Sequence, residues 1–263
     1  MSPSVERGSP RHTVGALTAL SPHGTYGRYA RSVRTAQRSM TRDPRYFDTI
    51  ADDFGTWMNP FDLHTREEWF RTQLGELSIA GERVLDVGAG LGHFSRIIAS
   101  LGGHAVPVDL AGRVLTKLRR EFPLAVQGDA LALPFSAGAF NIVVSSECVE
   151  HTPDPLLAVR EMLRVLRPGG RLVLSTPNRR WRWSVTVAES VGMRNFRGVE
   201  NWPRRSEIRS ALAANGADVV VDEGLYLFPF QFRPLWPLLA WFNRHGQRLR
   251  AWMINQCWVA RKR

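Results

Sequence analysis

A glycine-rich turn follows the first strongly apolar segment and is the first pattern in this chain that could support chemistry. It reads VLDVGAGLG over residues 84–92. Glycine lets the backbone adopt positive φ and lets a ligand approach without a Cβ in the way. Free amides at the start of the following helix favour an anionic or polar group. The turn therefore predicts a ligand-binding loop between a strand and a helix, and a nucleotide-binding dehydrogenase is the first alternative to weigh.

Acidic residues near the following strands narrow that prediction. The glycine spacing is G-x-G-x-G rather than G-x-G-x-x-G, and Asp86 stands two residues before the first glycine. Asp109 ends the second predicted strand about 20 residues further on, where a carboxylate accepts hydrogen bonds from ribose hydroxyls. Asp129-Ala130 follows the third predicted strand, where an acid can meet an adenine amino group. These positions favour a ligand that contains adenosine.

The order of these motifs resembles that of the class I S-adenosylmethionine-dependent methyltransferases. The resemblance covers about residues 45–220 and includes GDA at 128–130 and RPGG at 167–170. It implies an α/β fold with a doubly wound, mostly parallel seven-stranded sheet and an antiparallel last strand. It also implies S-adenosylmethionine as cofactor. The residues implied to bind it are Gly88, Ala89 and Gly90 under the methionine part, Asp86 near its amino group, Asp109 with Leu110 at the ribose, Asp129 with Ala130 at the adenine, and Ser146.

A narrower likeness lies in SSECVEH, residues 145–151, which resembles the polyprenyl-hydroxybenzoate O-methyltransferases of ubiquinone biosynthesis. In that family the segment is associated with cofactor contact at the serine and with Mg²⁺ at the acids and the histidine. The resemblance therefore implies Glu147, Glu150 and His151 as metal ligands. Their spacing lets the three share one face of a helical turn, although His is a less usual ligand for Mg²⁺. The alternative is that Glu150 and His151 only shape a pocket.

Methyl transfer to an alcohol or phenol also requires that the hydroxyl lose its proton. Either His151 acts as general base, since an imidazole has an ordinary pKa near 6.5, or a bound metal acidifies the hydroxyl. One departure from the family stands out. Those enzymes tend to carry an Arg after an Asn-Pro element, where this chain has Asp62, and Arg66 about a turn later is the candidate substitute.

From Tyr46 onward, apolar periodicity predicts the elements that must position these residues. Helical spacing runs from Tyr46 to Leu77 and is broken at Asn59-Pro60. Strands then alternate with helices of about ten to fifteen residues, a pattern typical of βαβ units and a parallel sheet. The predicted strands are 83–87, 105–109, 125–128, 141–145, 171–175, 217–221 and 253–260, and the predicted helices between them are 92–101, 110–122, 155–166 and 206–215.

The charge distribution divides the chain into three parts. The net charge is +11, with +5 in residues 1–40, −3 in 41–178 and +9 in 179–263, and all but two of the 35 basic residues are Arg. Residues 1–40 are rich in Ser, Arg, Pro and Gly, which predicts a disordered basic tail. A transit segment, or a true start at Met40, is the alternative. Residues 41–263 are predicted to form the methyltransferase domain.

An insertion between the last two predicted strands, residues 224–250, is aromatic and basic, with four Arg and no acid after Gly224. Aromatic side chains beside Arg suit a membrane interface or a lipophilic acceptor, and a lid packed on the core is the alternative.

Two cysteines and no spanning apolar run predict a cytoplasmic protein.

Three functions remain after these observations. The first is an O-methyltransferase of a lipophilic or glycosylated small molecule such as a phenol, quinol, polyketide or sugar. The second is an RNA or protein methyltransferase that uses the basic C-terminal part. Nucleic acid is not favoured as a partner, because SSECVEH stands where amino-methylating enzymes usually carry an (Asp/Asn)-Pro-Pro-aromatic motif. The third is a non-catalytic binding module on the same fold.

Overall fold

A mixed α/β sheet organises the protein. The computed structural model describes residues 46–52, 55, 58–192, 196, 198–227, 234, 236–243 and 245–263. The strands are β1 (Arg83–Val87), β2 (His104–Asp109), β3 (Val126–Gln127), β4 (Phe140–Ser146), β5 (Leu166–Pro177), β6 (Ala217–Leu225) and β7 (Asn255–Lys262). Within the described residues they form one sheet in the order β3-β2-β1-β4-β5-β7-β6, and β7 runs antiparallel to both neighbours. The predicted doubly wound, mostly parallel sheet with an antiparallel last strand is confirmed.

Helices connect the strands. They are α1 (Tyr46–Thr49), α2 (Pro60–Glu76), α3 (His93–Ser100), α4 (Gly112–Leu118), α5 (Pro155–Val165), α6 (Arg182–Ser190), α7 (Arg205–Ala214), α8 (Trp236–Asn243) and α9 (Gly246–Leu249). Short 3₁₀ turns lie at Val149–His151 and Arg179–Trp181. Across the part of the chain that the structure describes, none of these helices combines the length and the apolar character that crossing a membrane requires.

Two helices near the site begin at the signals that the sequence carries. Asn59 caps α2, because its side-chain oxygen accepts a hydrogen bond from the amide of Phe61 at 2.9 Å, and Pro60 occupies the first helical position. Asp154 caps α5 in the same way, and Pro155 follows it. The predicted break at Asn59-Pro60 is therefore the start of a helix.

The parallel strands bring their carboxyl ends to one edge of the sheet. β1 lies between β2 and β4 and pairs with both in parallel, so the chain reverses its direction of winding beside β1. Open α/β sheets bind ligands at such a switch point, just beyond the carboxyl ends of the strands. Helix α2 packs on α3 over the sheet, and the rings of Phe70 and Phe94 meet there at 4.6 Å between centroids.

Several predicted boundaries were wrong. The helix predicted over 110–122 covers only Gly112–Leu118, and β5 begins at Leu166, which was assigned to the preceding helix. Helix α6 was not predicted, since its apolar residues Trp183 and Val187 face outward and are exposed. Phe54 and Trp57, used to predict the first helix, and the predicted tail 1–40 lie outside the described residues.

Candidate active site

The glycine turn after β1 adopts the conformation that its sequence predicts. Gly88, Gly90 and Gly92 have φ of 74°, 50° and 82°. The amide of Gly88 donates to the carbonyl of Val108 on β2 at 2.8 Å. A Cβ placed on Gly88 would lie 2.5 Å from Sγ of Cys148, closer than side-chain carbons approach. Both backbone conformation and lack of space therefore require glycine at position 88.

A cavity of about 750 Å³ opens beside this turn, at the carboxyl ends of β1, β2 and β4. Its lining includes the turn, the ends of β2 and β4, the loop after β3 and the start of the segment after β6. With the exception of Asp86, the residues implied to bind the cofactor all line it: Gly88, Ala89, Gly90, Asp109, Leu110, Asp129, Ala130 and Ser146. The tertiary fold thus brings together residues that are up to 58 positions apart.

Asp109 joins the end of β2 to the glycine turn. Its carboxylate accepts hydrogen bonds from the amides of Gly90 and Ala111, each at 2.8 Å. Burial raises the pKa of this carboxyl, although the backbone hydrogen bonds oppose the rise. Because Asp109 also lines the cavity, its oxygens lie where a ligand with hydroxyl groups would meet them. The ribose contact stays a prediction.

Asp86 lies behind the turn and is 1% exposed. Its Oδ2 accepts a hydrogen bond from the hydroxyl of Ser95 on α3 at 2.5 Å. Burial raises the pKa of Asp86 to about 7, with the nearby Asp109 adding to the rise. Asp86 is not among the residues that line the cavity. This placement supports a role in holding α3 against the turn, and the predicted contact with a ligand amino group stays untested.

Asp129 and Ala130 lie in the loop after β3. The Asp129 carboxylate accepts a hydrogen bond from the amide of Leu131 at 2.9 Å, which fixes the loop in a tight turn. Both residues line the cavity beyond Asp109. They therefore occupy the part of the cavity next to β3, as expected for the end of the ligand that lies beyond the ribose.

A buried polar network lies at the carboxyl end of β4. Arg66 on α2 is 6% exposed, and its Nε and Nη2 donate to the two carboxylate oxygens of Asp62 at 3.1 and 3.0 Å. Its Nη1 donates to the hydroxyl of Ser146 at 2.9 Å, and Ser146 also bonds to Ser175. The hydroxyl of Tyr226 donates to Asp62. The sequence flagged Arg66 alone among the cationic residues of α2, and it placed Tyr226 in the aromatic insertion 224–250 without a role of its own.

The electrostatics of Arg66 follow from this network. Burial by itself lowers the pKa of Arg66, but the carboxylates of Asp62 and Glu147 outweigh it and raise that pKa above its ordinary value. The guanidinium therefore stays charged at one wall of the cavity. A buried Arg can hold a ligand carboxylate with planar, charge-assisted hydrogen bonds.

The predicted metal ligands do not form a metal site. Glu147 Oε1 accepts a hydrogen bond from Ser175, and Glu150 Oε2 accepts one from Thr176. Burial raises the pKa of Glu147 to about 7 and that of Glu150 well above its ordinary value. His151 Nε2 lies 3.9 Å from Glu150 Oε1. Across the described ranges, no group of three or more His, Cys, Asp or Glu side chains could hold a metal ion. The implied magnesium site is not supported.

His151 itself lies against the aromatic wall of the cavity. Its Nδ1 is 2.9 Å from the carbonyl of Val199, which can only accept a hydrogen bond. A neutral ring therefore carries its proton on Nδ1 and its lone pair on Nε2. The rings of Phe47 and Phe196 lie 4.9 and 5.5 Å from the imidazole, and all three side chains line the cavity. Phe196 was not anticipated, because no periodic pattern covers its segment.

Curated relatives match part of the chain. The chain is 38% identical over 110 residues to a ubiquinone biosynthesis O-methyltransferase of Xanthomonas oryzae pv. oryzae. The alignment covers 39% of this chain and 46% of that protein. It is 39% identical over 137 residues to a demethylmenaquinone methyltransferase of Beutenbergia cavernae, which covers 50% of this chain and 57% of that protein. The matched region spans about half the length of these relatives.

A solved structure and a family model extend the comparison. An S-adenosylmethionine-dependent methyltransferase from Mesorhizobium loti superposes with a TM-score of 0.58 at 21% identity and covers 76% of this chain and 100% of that one, which shows a shared fold. The family model described as a methyltransferase domain matches residues 42–221, more than half of the chain. With the strand order, the glycine turn and the acidic strand ends already in place, this match shows that the chain belongs to the methyltransferase domain family.

Proposed function

We propose that this protein is an S-adenosylmethionine-dependent methyltransferase that transfers a methyl group to a hydroxyl oxygen of a lipophilic or glycosylated small molecule. One observation carries the proposal. A single cavity joins the glycine turn and the acidic ends of β2 and β3 to His151. The residues proposed to bind the cofactor and the proposed base thus line the same cavity, as a direct transfer to an acceptor requires.

The residues of the cavity suit the cofactor that the family implies. When bound, S-adenosylmethionine supplies an electrophilic methyl group on a sulfonium. Asp109 offers carboxylate oxygens for the ribose hydroxyls, and Asp129, which also lines the cavity, offers an acceptor for the adenine amino group. Arg66 offers a buried positive charge for the amino-acid carboxylate.

His151 supplies the proton chemistry in this proposal. The hydrogen bond from Nδ1 to Val199 orients the ring and leaves the lone pair on Nε2. Nε2 would accept the proton that the acceptor hydroxyl loses when its oxygen takes the methyl group from the sulfonium sulfur, whose bond to that carbon breaks. The surrounding Phe47 and Phe196 help to exclude water. No metal is needed for this step.

The acceptor side of the cavity supports a lipophilic substrate. The cavity lining includes Phe47, Ile50, Met58, Phe196 and Trp202, and the rings of Phe47 and Phe196 lie beside His151. Aromatic and other apolar side chains in a cavity wall are typical of sites that bind apolar ring systems. The names of the two curated relatives, which refer to ubiquinone and demethylmenaquinone, support a quinone-like acceptor.

Transfer of labelled methyl from S-adenosylmethionine into a host-cell extract tests the proposal, with and without EDTA and followed by fractionation. Label in the organic phase that resists EDTA is the expected result, with His151 as the base. Organic label that EDTA abolishes would restore a metal to the mechanism. Label in the RNA or protein precipitate would replace the proposal with the second function that the sequence left open. Absence of label in every fraction would favour the non-catalytic module.

Contact of the aromatic and basic insertion with a membrane surface also stays a prediction. On α8, Leu238 and Trp241 are about half exposed, at 47% and 50%. Exposed indoles with neighbouring Arg suit an anionic interface. Sedimentation with phosphatidylglycerol vesicles at low salt tests this, and protein that stays in the supernatant would exclude it.

A further inference from the structure

Tyr226 follows β6 and brings a side chain from the C-terminal part of the chain to the cavity wall. It is 3% exposed, lines the cavity and has φ of 35°, an unfavourable conformation for a residue other than glycine. Its carbonyl accepts a hydrogen bond from the amide of Ile254 at 2.8 Å, and its ring packs on Phe61. Surrounding contacts must hold the residue in this conformation, which makes the aim of its hydroxyl informative.

The hydroxyl of Tyr226 donates to Asp62 Oδ1, and the same oxygen accepts from Nε of Arg66 at 3.1 Å. Asp62 Oδ2 accepts from Arg66 Nη2 at 3.0 Å. Arg66 Nη1 then reaches Ser146 at 2.9 Å. Tyr226 and Ser146, 80 positions apart, are thereby connected through one carboxylate and one guanidinium.

We propose that Tyr226 is a positioning residue for binding of the cofactor: through Asp62, its hydroxyl holds Arg66 in the orientation that receives the ligand's carboxylate. The inference rests on the proposed function, because it assumes that S-adenosylmethionine occupies the cavity. It adds that the segment after β6, outside the glycine turn and the acidic strand ends, sets affinity for the amino-acid end of that ligand.

The physical reason is competition for one guanidinium. Asp62 and a ligand carboxylate both attract Arg66, and burial strengthens each attraction. A hydrogen bond from Tyr226 withdraws part of the negative charge of Asp62 and fixes its carboxylate plane. Burial raises the pKa of Tyr226 well above its ordinary value, with Asp62 adding to the rise, so the hydroxyl stays a donor at neutral pH. Without it, Asp62 would draw Arg66 more strongly away from the ligand.

The test compares two probes that differ at the end in question. S-adenosylmethionine has the amino-acid carboxylate, and 5′-methylthioadenosine lacks it. Dissociation constants of both are measured by equilibrium dialysis for wild type, Tyr226→Phe, Asp62→Asn and the double variant. We expect Tyr226→Phe to weaken the binding of S-adenosylmethionine by about tenfold, which corresponds to about 1.4 kcal/mol. The affinity for 5′-methylthioadenosine should not change. In the Asp62→Asn background, Tyr226→Phe should cause no further loss of affinity for S-adenosylmethionine.

Trp69→Phe is the matched control. The indole of Trp69 donates to Glu223 on β6 at 2.8 Å, so this bond also joins α2 to β6 but does not involve Arg66. Its loss should not alter the ratio of the two dissociation constants. The inference is overturned if Trp69→Phe reproduces the effect or if Tyr226→Phe weakens the binding of both probes equally. It is also overturned if Tyr226→Phe has its full effect in the Asp62→Asn background. Failure of the wild type to bind S-adenosylmethionine would instead overturn the proposed function, and this inference with it.

Discussion

The guanidinium of Arg66 donates to the hydroxyl of Ser146 across 2.9 Å, which joins helix α2 to the carboxyl end of β4. The two residues are 80 positions apart, and each also has a second polar partner, Asp62 for Arg66 and Ser175 for Ser146. This contact holds a positive charge at the cavity wall. It explains how α2 contributes to a site whose motifs lie in the strand ends.

Arg66→Lys should weaken the binding of S-adenosylmethionine by about tenfold, measured by isothermal titration calorimetry. Lysine keeps the charge, but it cannot hold Asp62 with two bonds while donating to Ser146, because it lacks the planar fork of arginine. Arg71→Lys on the same helix is the control, since Arg71 is exposed and bonds to Ser100. Equal affinities of wild type and Arg66→Lys would show that the guanidinium geometry is not used.

Gly88→Ala should lower the free energy of unfolding by about 2–4 kcal/mol, measured by urea denaturation. The new methyl group would meet Cys148 Sγ at 2.5 Å and would adopt φ of 74°, and overpacking and a left-handed backbone each add a cost. Gly81→Ala is a close control, because Gly81 has φ of 76° with no atom within 4 Å of the added carbon. Gly81→Ala should lower the free energy of unfolding by about 1–2 kcal/mol. Identical losses for the two variants would show that contact with Cys148 costs nothing.

His151→Ala should reduce kcat for methyl transfer by about 10²- to 10⁴-fold while leaving the dissociation constant of S-adenosylmethionine unchanged. The reason is that Nε2 of His151 accepts the acceptor's proton in the proposed mechanism. Stopped-time assays with labelled cofactor and the acceptor found in the extract provide kcat. His64→Ala serves as the control because His64 is exposed on α2. An unchanged kcat would remove His151 from the chemistry.

Asp86 should make stability depend on pH. Burial raises its folded-state pKa from 3.8 to about 7, so the native state keeps a proton that the unfolded chain releases above about pH 4. The contribution of this group is therefore fully present below pH 4 and is lost as pH rises to about 7. The loss amounts to at most about 4 kcal/mol, since one pKa unit corresponds to 1.36 kcal/mol.

Asp86→Asn removes that titration, so its free energy of unfolding relative to wild type should increase between pH 5 and pH 8. Urea denaturation of both proteins at the two pH values measures the change. Asp218→Asn, at an exposed carboxylate, controls for the altered net charge. A difference between Asp86→Asn and wild type that is the same at both pH values would contradict the raised pKa.

The features that the sequence predicted correctly depend on local backbone conformation or on the order of the strands. Gly88 and Gly90 were recognisable because a strand-to-helix turn with positive φ demands glycine. The break at Asn59-Pro60 and the helix start at Pro155 could be predicted because proline interrupts a helix locally. Asp109 and Asp129 could be assigned to one edge because the carboxyl ends of parallel strands meet there.

Tertiary structure decided the features that depend on contacts between distant segments. Tyr226 meets Asp62 across 164 positions, and no local pattern encodes such a contact. The spacing of Glu147, Glu150 and His151 allowed a metal site, but burial and the hydroxyls of Ser175 and Thr176 determine what the two carboxyls do. Spacing along the chain specifies which side chains can share a face of one element. The packing of all the elements together determines which partners surround that face and how much water reaches it.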